Sequence, residues 1–396
     1  MMWKKTIQEF GAVGDGKTLN TAAIQAAIDA CAEAGGGLVV IENGAFVTGT
    51  LFLHSFVELH LEANGILLAS TNGADYPNFQ PRTWNAEQAP RHSSRCLIYA
   101  EGAHHVSITG TGTINCCGEA FCEYTPEDRF WRRKTTELPA RMIHFYNCTD
   151  VLLSDFSMLE MAGGWAFWIN GCSYVRCTRL RVRCNQHYPN SDGIHINCSS
   201  DVSVSDCSVI CGDDCLIVRA NTNTHKEKRA CERVSVTGCH FSSLSNAIRV
   251  GWTNDYKIQN CVFSDCTVTD SWRGISIEFP KKGPEPFADQ GEDFSEVRNL
   301  IFSNITMDRI DEMPLQILVY PYNQVKTIHN IRFDGILADC GMYPVFLGME
   351  GADVSDITLT DCRFTLHGDT KSEAAGCTVE RVRRLTMNHT VFDREV

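Results

Sequence analysis

Asn190-Ser191-Asp192-Gly193-Ile194-His195-Ile196 opens the stretch that decides how this chain is read, and Gly212-Asp213-Asp214-Cys215-Leu216-Ile217-Val218 closes it. Between them, apolar and polar positions alternate through Val202, Val204 and Val209. Alternation at period two marks a strand with one face buried. The two acidic clusters lie about twenty residues apart, close to one turn of a coiled β-structure, and neighbouring parallel strands pair at roughly 4.8 Å. The spacing predicts that Asp192, Asp213 and Asp214 crowd one patch. Adjacent residues of a regular strand face opposite sides, so a local bend is expected at Asp213-Asp214.

Outward from this stretch the chain repeats itself. Asp150-Val151-Leu152-Leu153, Tyr174-Val175-Arg176-Cys177, Asp201-Val202-Ser203-Val204, Arg233-Val234-Ser235-Val236, Asn299-Leu300-Ile301-Phe302, Asn330-Ile331-Arg332-Phe333, Asp356-Ile357-Thr358-Leu359 and Arg384-Leu385-Thr386-Met387 share one pattern, 24 to 32 residues apart where adjacent. Asn, Asp, Gly or Cys stand at the corners. Self-similarity at that period means a solenoid. No helical period competes after residue 35, so the fold class is all-β, a right-handed parallel β-helix spanning 1–396 as one domain.

Towards the N-terminus, Asn20 is placed to cap a helix over Thr21 to Glu33, with Ala22, Ile24, Ala27, Ile28 and Cys31 as its apolar stripe. Gly35-Gly36-Gly37 ends it. Residues 1–35 then form a cap over the open end of the coils, whose unpaired edge would otherwise invite association. Phe10-Gly11-Ala12-Val13-Gly14-Asp15-Gly16 has glycine spacing reminiscent of nucleotide loops, but it follows no clear strand and has no phosphate-binding lysine arrangement, so it reads as a tight turn. Strands are expected at Leu38 to Ile41, Ala45 to Leu53, Val57 to Leu61 and Ile66 to Ala69. Alternation lapses near 76–95, with Pro77, Pro81, Trp84 and Pro90, and again near 116–139. The second loop holds Tyr124, Arg129, Phe130, Trp131, Arg132, Arg133 and Lys134, as suited to a sugar-binding wall as to a solvated excursion.

Composition bounds the partners. The 396 residues are 43% hydrophobic and 21% charged, as expected of a globular chain. A net charge of −13 argues against nucleic acid and offers no long-range attraction to a polyanion. Any anionic group must be held by local arginines. Met1 to Phe10 carries two lysines but no apolar run of signal-peptide length, and no later window approaches a membrane span. A cytoplasmic location without membrane contact is therefore expected. The twenty cysteines are expected to be reduced core residues, and Cys116, Cys117 and Cys122 lack the second pair that would complete a zinc site. The sequence leaves the oligomeric state open.

One protonated carboxylic acid beside ionised partners is what glycosidic bond cleavage needs, an acid for the leaving oxygen and a base for water. On these residues the chain resembles the polygalacturonase family, glycoside hydrolase family 28. Asn190-Ser191-Asp192-Gly193 is similar to its N-T-D-G motif, Gly212-Asp213-Asp214-Cys215 matches its G-D-D-C motif, and Phe10 to Gly16 looks like the start of bacterial and plant members. The resemblance implies a right-handed β-helix, hydrolysis with inversion, no metal or other cofactor, and an oligosaccharide substrate. It implies Asp213 as general acid, with Asp192 and Asp214 activating water, and Asn190 in the same motif.

Two family motifs are changed. Asn246, within Ser245-Asn246-Ala247, stands where the family has the histidine of G-H-G, and Ser276-Ile277-Glu278 replaces R-I-K. Arg219, Arg249 and Arg273 are candidates to replace the missing cations. Glu278 suits a hydroxyl-rich leaving group, and His187 and His195 flank Asp192 as candidate contacts to sugar. The expected activity is exo-hydrolysis of small pectin-type oligosaccharides. Non-galacturonate glycosides, a calcium-dependent lyase and a non-catalytic carbohydrate-binding β-helix are the rivals.

Overall fold

The computed structural model describes residues 3–79, 95–135, 138–161, 164–253, 255–280, 294–321, 323–367 and 375–394. They gather into two compact units, one holding the described residues up to His195 with Val202–Asp213, the other Ile196–Asp201 and the residues from Asp214 onward. Each is wound as a right-handed parallel β-helix. A coil of the second unit shows the plan: Lys257–Ser264 lies in the first sheet, Thr267–Ser271 in the second and Arg273–Phe279 in the third. The next coil repeats it with Ser295–Ser303, Thr306–Ile310 and Leu315–Val319. In-register parallel pairs join them, among them Phe263 with Phe302, Val268 with Met307 and Ile275 with Leu315.

Inward positions of successive coils stack like on like. Phe263, Phe302, Phe333 and Phe346 form a column with centroid spacings of 4.7, 5.2 and 6.2 Å. All four are fully buried, and each contributes about 1.5–3 kcal/mol by leaving water.

The eight repeated segments are all strands of the first sheet, and each opens on a residue with positive φ, from Asp150 at 56° to Arg384 at 55°. His105 and Asn260 hold the same place at 52° and 57°. In the second unit these residues build an outer ladder. Arg233 holds Asp201 at 2.7 Å, Asn299 donates to Asn260 at 2.8 Å, Asn330 to Asn299 at 2.7 Å, and Arg384 holds Asp356 at 2.5 Å. Asn and Asp tolerate this backbone better than most residues, which explains their recurrence.

The corners explain much of the cysteine content. Cys207, Cys239, Cys266 and Cys362 each follow a residue with positive φ, are buried, and donate Sγ–H to the carbonyl two residues earlier at 3.2–3.4 Å. A small apolar side chain with a weak donor fits that corner. None of the twenty cysteines is in a disulfide, and only Cys117 and Cys377 are not buried.

The N-terminal helix spans Thr21–Glu33 as expected, burying Ile24, Ala27, Ile28 and Cys31. Ala22, assigned to that stripe from sequence, is exposed. Asn20 sits at the N-cap but makes no capping bond; it accepts from Val13 N at 2.7 Å and donates to Thr18 O at 2.6 Å, stitching the glycine turn instead. The helix also closes a strand edge. Gln25 Oε1 accepts from Phe52 N at 2.8 Å and its Nε2 donates to Phe52 O at 3.0 Å, imitating a neighbouring strand for Leu51–Phe52, the last strand of the third sheet.

Most of the loop near 76–95 lies outside the described residues. The described part of 116–139 carries a small antiparallel pair, Cys122–Glu123 with Arg132–Arg133.

Candidate active site

In the first unit, Asn190 enters the site turn at φ 52°. Ser191 Oγ donates to Tyr188 O at 2.8 Å and accepts from Gly212 N at 3.1 Å, which ties the Asn190 turn to the head of the second acidic motif. A Cβ on Gly212 would lie 2.4 Å from Gln186 O and 2.7 Å from Ser191 Oγ. Glycine is therefore required by the approach of backbone to backbone. The expected bend is present at Gly212 and Asp213, after the strand Ser208–Cys211, and leaves Asp213 half-buried.

Asp192 is buried, and Asn190 Nδ2 donates to its Oδ1 at 3.0 Å. Arg133 Nη2 donates in turn to Asn190 Oδ1 at 3.1 Å, so the loop hairpin reaches the acidic turn. His195 is buried with Nδ1 3.7 Å from Asp192 Oδ2, and its ring stacks on Trp165 at 3.8 Å. Arg141 lies over Trp165 and Trp168 at 4.0 and 4.7 Å. Burial pushes its guanidinium down to about 10 while the charge of Asp192 pulls the other way. His187 is placed differently from His195: its Nδ1–H donates to Arg129 O at 2.9 Å and its ring stacks on Trp131, pinning the hairpin.

In the second unit, Asp214 is buried and its Oδ1 accepts from Ser245 Oγ at 3.0 Å, Asn246 N at 3.3 Å and Asn246 Nδ2 at 2.7 Å. Asn246, a hydrogen-bonding residue at the histidine position, thus acts as a carboxylate clamp. Its own Oδ1 accepts from Ser276 Oγ, which accepts from Gln316 Nε2 at 2.8 Å. These buried amides and hydroxyls form one directed chain from Gln316 to Asp214.

Arg249 Nη1 lies 3.6 Å from Asp214 Oδ2, its Nη2 3.1 Å from Glu278 Oε2, and its guanidinium 4.0 Å from the Trp252 ring centre. Arg273 reaches Glu278 at 4.0 Å and Glu312 at 2.9 Å, and stacks on Trp272 at 3.8 Å. Arg219 departs from its expected role as a sugar-carboxylate grip. Its guanidinium is locked on buried Asp255, with Nε at 2.7 Å from one oxygen and Nη2 at 2.7 Å from the other, because an arginine fork and a carboxylate match in geometry.

Sequence reading missed Arg141, Trp165, Trp252, Gln316 and Glu312. Trp165 and Trp252 do follow glycines, at Gly163-Gly164 and Gly251. The others carry no local signal, since only the coil register brings them to the motif residues.

Buried, hydrogen-bonded motif carboxylates carried on parallel β-helix coils suit the glycosidase class. The family described as "Glycosyl hydrolases family 28" matches residues 77–382, and the chain belongs to that family. A probable polygalacturonase of Vitis vinifera is 28% identical over 289 residues, covering 69% of this chain and 56% of the relative. An exopolygalacturonase of Arabidopsis thaliana is 24% identical over 308 residues, covering 77% and 64%. The crystal structure of a hyperthermoactive exopolygalacturonase from Thermotoga maritima has a TM-score of 0.78 at 18% identity, covering 99% of this chain and 92% of that one, a likeness of fold. The chain spans about three fifths of the length of the curated relatives it matches.

Proposed function

We propose that the protein is an inverting exo-glycoside hydrolase of small pectin-type oligosaccharides, working in the cytoplasm. Asp213 gives its proton to the glycosidic oxygen as the bond to the anomeric carbon breaks. Asp192 and Asp214 orient water and take its proton as the oxygen bonds to that carbon, inverting its configuration. The observation that carries this reading is the support given to the motif carboxylates. Asp192 and Asp214 are buried and each is aimed by a neighbouring asparagine, Asn190 and Asn246, while Asp213 stays half-exposed. Preorganised groups of this kind are what a reacting site requires.

The exopolygalacturonase names of the Arabidopsis and Thermotoga relatives support exo action on galacturonides. Arg133 and Arg141, beside the Asp192 turn, put positive charge where a uronate is to be recognised. Twenty cysteines held as thiols, eighteen of them buried, support a reducing compartment.

The test is product analysis on oligogalacturonides, rhamnogalacturonan fragments and neutral plant oligosaccharides, with the anomeric proton followed by NMR. Expected are single sugars released with inverted configuration, no ultraviolet-absorbing unsaturated product, and a rate loss of about 10²–10⁴ in Asp213→Asn. Full activity in Asp213→Asn, or unsaturated products, would sink the reading.

A further inference from the structure

Asp214, Arg249, Glu278, Arg273 and Glu312 form an unbroken chain of alternating charge in the second unit, with successive separations of 3.6, 3.1, 4.0 and 2.9 Å. Three carboxylates face two guanidiniums. Each guanidinium has one face against a tryptophan, Trp252 or Trp272, and two nitrogens near carboxylates already present, Nη1 and Nη2 of Arg249 and Nε and Nη1 of Arg273, while Arg249 Nε donates to Gly251 O at 3.4 Å. Side-chain exposure is 6% for Arg249 and 10% for Glu278, so water screens this pair poorly, while Arg273 and Glu312 are more open at 17% and 33%. A sugar carboxylate entering here would be a fourth anion on two cations, and it would meet the charge of Glu278 at both of them. A hydroxyl meets the opposite situation, because a carboxylate accepts hydrogen bonds from hydroxyl donors.

We propose that the sugar held beside Asp214 is neutral and hydroxyl-bearing, and that Glu278 is the specificity-determining residue that excludes a uronate from that position. This rests on the hydrolase reading above, with Asp214 next to the bond that breaks. The substrate class is then a mixed oligosaccharide in which a sugar without a free carboxylate stands on one side of the cleaved bond. Arg249 serves as a positioning residue, holding Glu278 and Asp214 in one orientation.

The experiment compares digalacturonate with its analogue methyl-esterified only at the reducing-end carboxylate, so that charge alone differs. Wild type is expected to show a kcat/KM at least about tenfold higher on the ester, and Glu278→Gln to cut that ratio by about tenfold through gain on the acid and loss on the ester. Calorimetric binding of the same two compounds to Asp213→Asn answers the charge question without turnover. Tighter binding of the ester there supports the assignment even if wild type cleaves neither compound, a result that would overturn the hydrolase reading instead. Equal or better use of the acid by wild type, or a ratio unmoved in Glu278→Gln, overturns the role of Glu278. Failure to bind either compound overturns both readings.

Discussion

His225 is a buried histidine in the segment between the strands Leu216–Arg219 and Cys231–Thr237, and burial, with Arg229 adding to it, pushes its pKa from 6.5 down to about 3. The folded protein keeps it neutral while the unfolded chain protonates it below 6.5, so its contribution is whole above that value and is lost as pH falls towards 3. Between pH 7.5 and 5, wild type is expected to give up roughly 2 kcal/mol more than His225→Gln, read from urea midpoints at each pH. Parallel pH curves for the two proteins would count against it. At this scale the sequence was informative where one residue type carries the chemistry, as with Asp192, Asp213 and Asp214. It was poor where partnership decides: Arg219 and Arg249 look alike in sequence, yet one is locked on Asp255 and the other bridges Asp214 and Glu278. Arg141 went unnoticed because its neighbours, Trp165 and Trp168, come from the next coil.

Among the elements, the helix Thr21–Glu33 matters less for its own stability than for what Gln25 does to the strand Leu51–Phe52. A bare strand edge is a template for another chain. Gln25→Ala is expected to lose about 1–3 kcal/mol for two backbone partners and to associate with rising concentration, visible as growing light scattering under conditions where wild type stays constant. Unchanged scattering with an unchanged melting temperature would show that the helix backbone alone suffices. The helix was legible because its 3.6-residue stripe is strong over thirteen residues. Its cap was not, because Asn20 satisfies the preceding turn in place of the helix. The first-sheet strands were legible from the apolar alternation that follows each opening residue. The coil at Asn260 escaped because Cys261, an inward-facing core residue there, broke the aliphatic pattern.

For the whole molecule, the net charge of −13 sets the approach of any acidic oligosaccharide. Long-range repulsion slows encounter and is screened by salt. On oligogalacturonides, kcat/KM is expected to rise between about 10 and 150 mM salt, over which the Debye length falls from roughly 30 to 8 Å, and to stay flat on a neutral substrate. A fall on the acidic substrate would mean that local arginines such as Arg133 govern encounter. The solenoid itself was legible because every coil restates the same corners, whereas the two compact units leave no mark in the pattern. The outer ladder of the second unit has a meaning beyond its backbone conformation. Stacked asparagine amides, one per strand, are what lock amyloid fibrils along their length. Here the stack is three rungs long, Asn260, Asn299 and Asn330, and the pairs Asp201–Arg233 and Asp356–Arg384 stand beyond its two ends. The protein thus carries a fibril's adhesive with a terminator at each end, a growth-limited form of the same chemistry.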